Sequence, residues 1–313
     1  MNDSIDTNEG LASFYCQRIN SWKTLVGRTS ENQELKQISA DYFHRLILTR
    51  ILSAGVTNLF FESGSSIAIL ARMFRKFIKA HRGIELFPKL SVETNNILAC
   101  LEFELFGSIP VTLYPPGPPE DKYGATFGSL QEMLPLPPPT KTSPATIFPA
   151  KAMEPMRKHF KERFSKNGVV FMSASGLELN PDGGFQGPHV GSYPNMLFKR
   201  ILLEAGCPTV MFLDQTKIEH DAFREGTCYP VCDEVLPWAR VCTAIPFALV
   251  IGANHFDMLK SSLDQLANMG LTFHKIDRNT IDGKGNAFGV VLSNSKFEER
   301  FPEHCGRNKA SGR

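Results

Sequence analysis

Along most of this chain, apolar runs of strand length alternate with longer stretches of helical periodicity, and few folds accommodate that alternation. Asn58-Leu59-Phe60-Phe61 is followed by a Ser/Gly turn and then by Ile67-Ala68-Ile69-Leu70-Ala71, continuing with Met73, Phe74, Phe77 and Ile78 at helical spacing. Leu90-Ser91-Val92 precedes the polar turn Glu93-Thr94-Asn95-Asn96, a periodic stretch from Ile97 to Phe106, and a further run over Ile109 to Leu113. The pattern returns with a strand at Val169 to Met172, a long Gly/Pro loop, a helix from Met196 to Leu203, and strands at Thr209 to Leu213 and Phe247 to Ile251. A helix over Leu259 to Met269 and a strand at Leu271 to Phe273 complete it. Apolar strands that alternate with helices predict an α/β fold. Its sheet is mostly parallel, with helices covering both faces.

The interruptions divide the chain. Between Pro110 and Pro149 lie 11 of the 21 prolines, a density that forbids a regular helix or a central strand. Residues 115–150 are therefore read as a Pro-rich insertion, either a lid or a surface linker, inside a ligand-binding α/β domain that spans 43–295. Residues 1–42 form a helical extension before it, and residues 296–313 a flexible tail rich in charge and small residues.

Composition narrows the function classes. With 42% hydrophobic and 21% charged residues in 313, the chain can bury a large core. The start, Met1-Asn2-Asp3-Ser4-Ile5-Asp6, is polar and acidic, and no apolar stretch approaches the roughly 20 residues that span a bilayer. No membrane is expected. The net charge is only +2, without the concentrated basic face that a phosphate backbone demands. Seven scattered cysteines suit a reducing, cytoplasmic setting. Cys228, Cys232, Cys242, His220 and His189 lack the paired close spacings of a structural zinc site, so buried thiols are expected and no cofactor or metal is called for.

Candidate chemistry gathers at the carboxyl ends of the strands. Ser63-Gly64-Ser65-Ser66 follows the first strand and opens a helix, where free N–H groups, hydroxyls and an unhindered Gly64 suit a phosphate; the same turn can also be an ordinary helix cap. Thr94 and Asn95 occupy the equivalent place after the second strand. Open parallel sheets bind ligands there. Ser175 and Gly176 follow the strand at Val169 to Met172, ahead of the Gly-rich Asn180 to Phe185, and Asp214 with Lys217 follows the next strand. A lysine at that place supplies a point charge for a phosphate.

Taken in order, the Ser-Gly-Ser-Ser turn, Thr94-Asn95-Asn96, Tyr123-Gly124-Ala125-Thr126-Phe127-Gly128, Ser173-Ala174-Ser175-Gly176 and Asp214-Gln215-Thr216-Lys217 resemble the motifs of the effector-binding domain of DeoR-type sugar-phosphate repressors, over about Phe43 to Asp277. The resemblance implies a Rossmann-like sensor fold, shared with ribose-phosphate isomerases, glucosamine-phosphate deaminases and coenzyme A transferases. It implies a phosphorylated sugar or nucleotide as ligand, homo-oligomers, and a ligand-binding set that adds Lys122 and Gly124 to the residues above. Asn180 to Lys217 also resembles regulatory subunits of the eukaryotic initiation-factor exchange complex. The residues before Phe43 show no helix-turn-helix pattern, so no DNA binding is expected. Isomerases of this fold carry an acidic run where this chain has Ser173-Ala174-Ser175-Gly176, which favours sensing over turnover. Glu178, Asp182 and Asp214 remain as bases for an isomerase or hydrolase, and an assembly subunit with a vestigial pocket is the third reading.

Overall fold

A computed structural model describes residues 32–80, 89–104, 109, 111–113, 150–179, 186–191, 193–218, 229–275 and 288–303. Its elements are α1 (Gln33–Phe43), a π-helical turn (His44–Leu48), α2 (Thr49–Ser53), β1 (Asn58–Phe61), α3 (Ser65–Ala80), β2 (Ser91–Thr94), α4 (Ile97–Glu104), β3 (Val111–Leu113), α5 (Ala150–Phe164), β4 (Gly168–Ser173), β5 (Gly176–Glu178), β6 (Gly187–Val190), α6 (Tyr193–Glu204), β7 (Thr209–Asp214), a 3-10 turn (Gln215–Lys217), β8 (Tyr229–Pro230), α7 (Trp238–Ala244), β9 (Phe247–Ala253), α8 (Phe256–Asn268), β10 (Thr272–Lys275), β11 (Phe288–Ser293) and α9 (Ser295–Arg300). Among the described residues, eight strands form one sheet in the order β10-β11-β9-β7-β4-β1-β2-β3. The six from β9 to β3 are mutually parallel, and β11 runs antiparallel to both β9 and β10. The fold class is therefore the mixed α/β architecture with a mostly parallel sheet. A second, three-stranded sheet, β5-β6-β8, sits beside the carboxyl end of β4.

Period-two alternation divides the central strands between two cores. Phe60, Val170, Met172, Met211, Leu213, Leu249 and Ile251 face Phe160 and Phe164 of α5, Phe198 and Leu202 of α6, and Trp238 of α7. Their neighbours Phe61, Val169, Phe171, Val210, Phe212, Ala248 and Val250 face Phe43 of α1, Leu70 and Phe74 of α3, and Phe103 of α4. Because both faces are covered, the strands read as unbroken apolar runs. Glycines allow two close approaches on the second face: a Cβ on Gly252 would strike the Leu35 carbonyl, and one on Gly289 the Tyr42 ring.

Two boundaries differ from expectation. A division at 42/43 falls inside continuous helix, because Ile38, Ala40, Tyr42 and Phe43 are buried and α1 packs on β7, β9 and β11. Nor is the chain loose from 296 onward. Residues Ser295–Arg300 form a helix capped by the Asn294 side chain, with Phe297 and Phe301 fully buried. Buried Arg50 pairs with Glu298 and donates from Nε to the Phe301 carbonyl at 2.6 Å. The charged composition of this segment conceals two aromatic anchors. Residues 115–149 of the Pro-rich insertion, with Lys122 and Gly124, and the Asn180–Phe185 run with Asp182 lie outside the described residues.

The π turn carries a pH dependence. His44 is packed against Phe43, Phe74 and Phe77, and neither ring nitrogen has a partner among the described residues. Burial lowers its pKa from 6.5 to about 4. The folded state thus binds fewer protons than the unfolded chain between those values, so the contribution of neutral His44 is complete above pH 6.5 and is lost as pH falls toward 4. At 1.36 kcal/mol per unit this amounts to about 3 kcal/mol. Chemical denaturation across that window is expected to show His44→Phe losing less stability than the parent by about that amount; parallel pH profiles would contradict it.

Candidate functional site

Four segments meet at the carboxyl edge of the parallel sheet, where β1, β2, β4 and β7 end together. In the first, β1 leads through Glu62-Ser63-Gly64 into α3, whose first helical bond runs from Ala68 N–H to the Gly64 carbonyl at 3.1 Å. The amides of Ser65, Ser66 and Ile67 precede that bond and have no intrahelical acceptor. Gly64 has φ 137°, a conformation that disfavours any side chain, and a Cβ there would collide with Ser173 Oγ at the end of β4. The backbone at Gly64 is thus pressed against the third segment.

Asn96 ties in the second segment. Its Nδ2 donates to the carbonyls of Gly64 at 3.0 Å and Glu62 at 3.3 Å, while its Oδ1 accepts from the amides of Leu98 and Ala99 and so caps α4. Thr94 Oγ1 donates to the Phe61 carbonyl at 2.6 Å and accepts from Asn96 N–H at 2.9 Å. Of the residues singled out in the sequence here, Thr94 is therefore a structural clamp. Asn95, 6% exposed, keeps an Oδ1 without a partner among the described residues, and Ser66 Oγ at 2% exposure does the same.

In the third segment Ser175 is exposed and donates its N–H to the His189 carbonyl at 2.9 Å. Gly176 lies in β5 against the His189 ring, which occupies the space a side chain would need. This glycine thus serves packing between β5 and β6. In the fourth, Asp214 is fully buried, its Oδ1 accepts from Thr216 Oγ1, and Lys217 Nζ stands 3.5 Å from Oδ2 at ion-pair distance without hydrogen-bond geometry. Gln215 joins this turn to the end of β9 by accepting from the amides of Asn254 at 2.8 Å and His255 at 3.1 Å.

The sequence did not single out the charged pair at the centre. Glu62 and Lys199 are 0% and 2% exposed and form an ion pair, and Ser63 Oγ donates to Glu62 Oε1 at 2.5 Å. Burial pushes the Glu62 carboxyl up and the Lys199 ammonium down; their mutual attraction opposes both shifts, and the nearby charge of Lys217 lowers Lys199 further. A charge directly after the apolar Leu59-Phe60-Phe61 of β1, and a lysine among the apolar positions Leu197, Phe198, Ile201 and Leu202 of α6, are the signals that could have revealed the pair. Ser63 Oγ also lies 3.3 Å from Asn195 Oδ1, which brings the start of α6 to the same turn.

Chemically, the edge carries helix amides, hydroxyls and the Lys217 ammonium, groups that suit an anion, while the Lys199 ammonium is buried against Glu62. Among the described residues no three His, Cys, Asp or Glu side chains converge to hold a metal ion. Cys232 and Cys242 are buried, with burial raising both thiols, that of Cys232 to about 12; Cys228 and His220 lie outside the described residues. None of the described helices is long and apolar enough to cross a membrane.

No family model matches the chain, and no curated protein does. Among solved structures it is similar to ribose 5-phosphate isomerase from Plasmodium falciparum, at 11% identity and a TM-score of 0.32 over 83% of this chain and 78% of that one. It is likewise similar to ribose 5-phosphate isomerase A from Methanocaldococcus jannaschii, at 12% identity and a TM-score of 0.31 over 83% of this chain and 80% of that one. For eIF2B delta from Chaetomium thermophilum the values are 11% and 0.30, over 60% of this chain and 55% of that one.

Proposed function

We propose that this domain senses a phosphorylated sugar or nucleotide, held by its phosphate on the Ser63–Ser66 turn with Lys217 opposite, and that its role is regulatory. The observation that carries this reading is the interlocking of strand ends around one helix N-terminus: Asn96 clips Gly64, Ser173 abuts it, and the Glu62–Lys199 pair stands behind it close enough to Lys217 to feel its charge. Such an edge is pre-organised for an anion. Buried polar atoms of Ser66 and Asn95 without hydrogen-bond partners among the described residues are suited to the rest of a polar ligand.

A thermal-shift screen of sugar phosphates and nucleotides tests it. A ligand at 100 times its dissociation constant stabilises the fold by about 2.7 kcal/mol. Silence across both classes would refute the reading. With the ester that scores, Lys217→Ala is expected to lose one charge-assisted contact, about ten- to a hundredfold in affinity by calorimetric titration; unchanged affinity would remove Lys217 from the site.

Glu62 favours a second reading, a sugar-phosphate isomerase or hydrolase, because a carboxyl raised by burial is what proton abstraction uses. Both its oxygens are, however, engaged by Lys199 and Ser63. Turnover of the scoring ester by the purified protein would decide for the enzyme.

A further inference from the structure

The Glu62–Lys199 pair stands directly behind the turn that would seat the anion. Glu62 precedes Ser63 in the chain and accepts its hydroxyl, and Lys199 reaches Glu62 from α6. The charged group acting on the pair from a separate element is Lys217 of the 3-10 turn, itself 3.5 Å from Asp214 at the end of β7. Arg200, next to Lys199, is turned away to Asp233 and Glu204. Lys199 and Glu62 are 2% and 0% exposed, so the electrostatics of the seat act on them with little screening.

We propose that this pair makes the site a proton-linked selector of dianions: a dianion seated at Gly64 draws one proton from solvent onto the pair, which then holds a neutral carboxyl beside a charged ammonium. The proposal rests on the reading of the turn as an anion seat. Between them, Glu62 and Lys199 hold one titratable proton when the site is empty, whether as carboxylate and ammonium or as carboxyl and amine. A nearby dianion disfavours the carboxylate and favours the ammonium, so both sites become occupied and the buffer supplies the second proton. The net charge of the pair rises by one to meet that of the ligand. An uncharged sugar produces no such shift, and a monoanion a weaker one.

Inorganic sulfate is the probe, since it remains a dianion throughout the range, whereas phosphate esters titrate near pH 6. Calorimetric titration of the full chain at about pH 8, in buffers of different ionisation enthalpy, is expected to show uptake of about one proton per sulfate bound. Affinity is expected to tighten by about tenfold per pH unit on lowering the pH from about 8.5 to 7. The double variant Glu62→Gln/Lys199→Met, which removes both charges together, is expected to bind sulfate more weakly and without proton uptake. Sulfate binding that depends on Lys217 but not on the buffer would overturn the proposal and leave the anion seat standing. Equal proton uptake by the double variant would overturn it too, because the proton would then reside elsewhere. Absence of sulfate binding would overturn both the proposal and the seat.

Discussion

Lys199→Met is expected to destabilise the fold by about 3–5 kcal/mol, the usual cost of leaving one member of a buried ion pair without its partner, whereas Glu62→Gln/Lys199→Met should recover most of that loss. Glu62 is fully buried, and after the single substitution only Ser63, among the described residues, remains to satisfy its carboxylate. A carboxyl so placed has a raised pKa, and a raised folded pKa means that the folded state holds more protons than the unfolded one above the ordinary carboxylate range. Stability of the single variant is therefore expected to fall as pH rises toward 8 and to recover in acid. Urea unfolding of parent, single and double variants, followed by the fluorescence of buried Trp238, gives all three values. A single variant as stable as the parent, or a double variant as unstable as the single, would show that the pair does not carry this charge balance.

Gly64→Val is expected to abolish binding of any phosphate ester, by more than about a hundredfold, since it removes the approach itself where Lys217→Ala removes one contact. The backbone there has φ 137° and the new Cβ would meet Ser173 Oγ, so the turn must shift away from the geometry that presents the α3 amides. Strain of this kind costs about 1–3 kcal/mol, small enough for a fold of this size to persist. Circular dichroism should thus report a folded protein while calorimetry reports no binding. Ser173→Ala, which leaves Gly64 undisturbed, is expected to keep both the fold and the affinity within a few-fold.

The central parallel strands β1, β4, β7 and β9 were legible in the sequence because each is buried on both faces and carries a continuous apolar run, from Leu59-Phe60-Phe61 to Phe247 through Ile251. β11 was not, because Gly289 breaks its run, and that glycine answers to the Tyr42 ring on a helix remote in sequence. Helix α5 was hidden by its lysines and arginines: Phe160 and Phe164 anchor it, too few to reveal a period. The short sheet β5-β6-β8 consists of two- to four-residue strands containing glycine, proline and histidine, whose pairing is set by tertiary context. At the site, the strand-end turns were legible from their small and polar residues. Which residue of each turn clamps the scaffold and which stays available was not: Thr94 and Asn96 bond to backbone carbonyls more than thirty residues away, and Lys199 meets Glu62 only once α6 has packed.

The central claim, that an anion sits at the amino end of α3 facing Lys217, is tested most directly by titrating inorganic phosphate into isotopically labelled protein and following the backbone amide resonances. The account predicts saturable shifts concentrated on Gly64, Ser65 and Ser66, with Lys217 responding at the same midpoint and all of them silent in Gly64→Val. Saturable binding that leaves those three amides unmoved, or no binding at all, would contradict it.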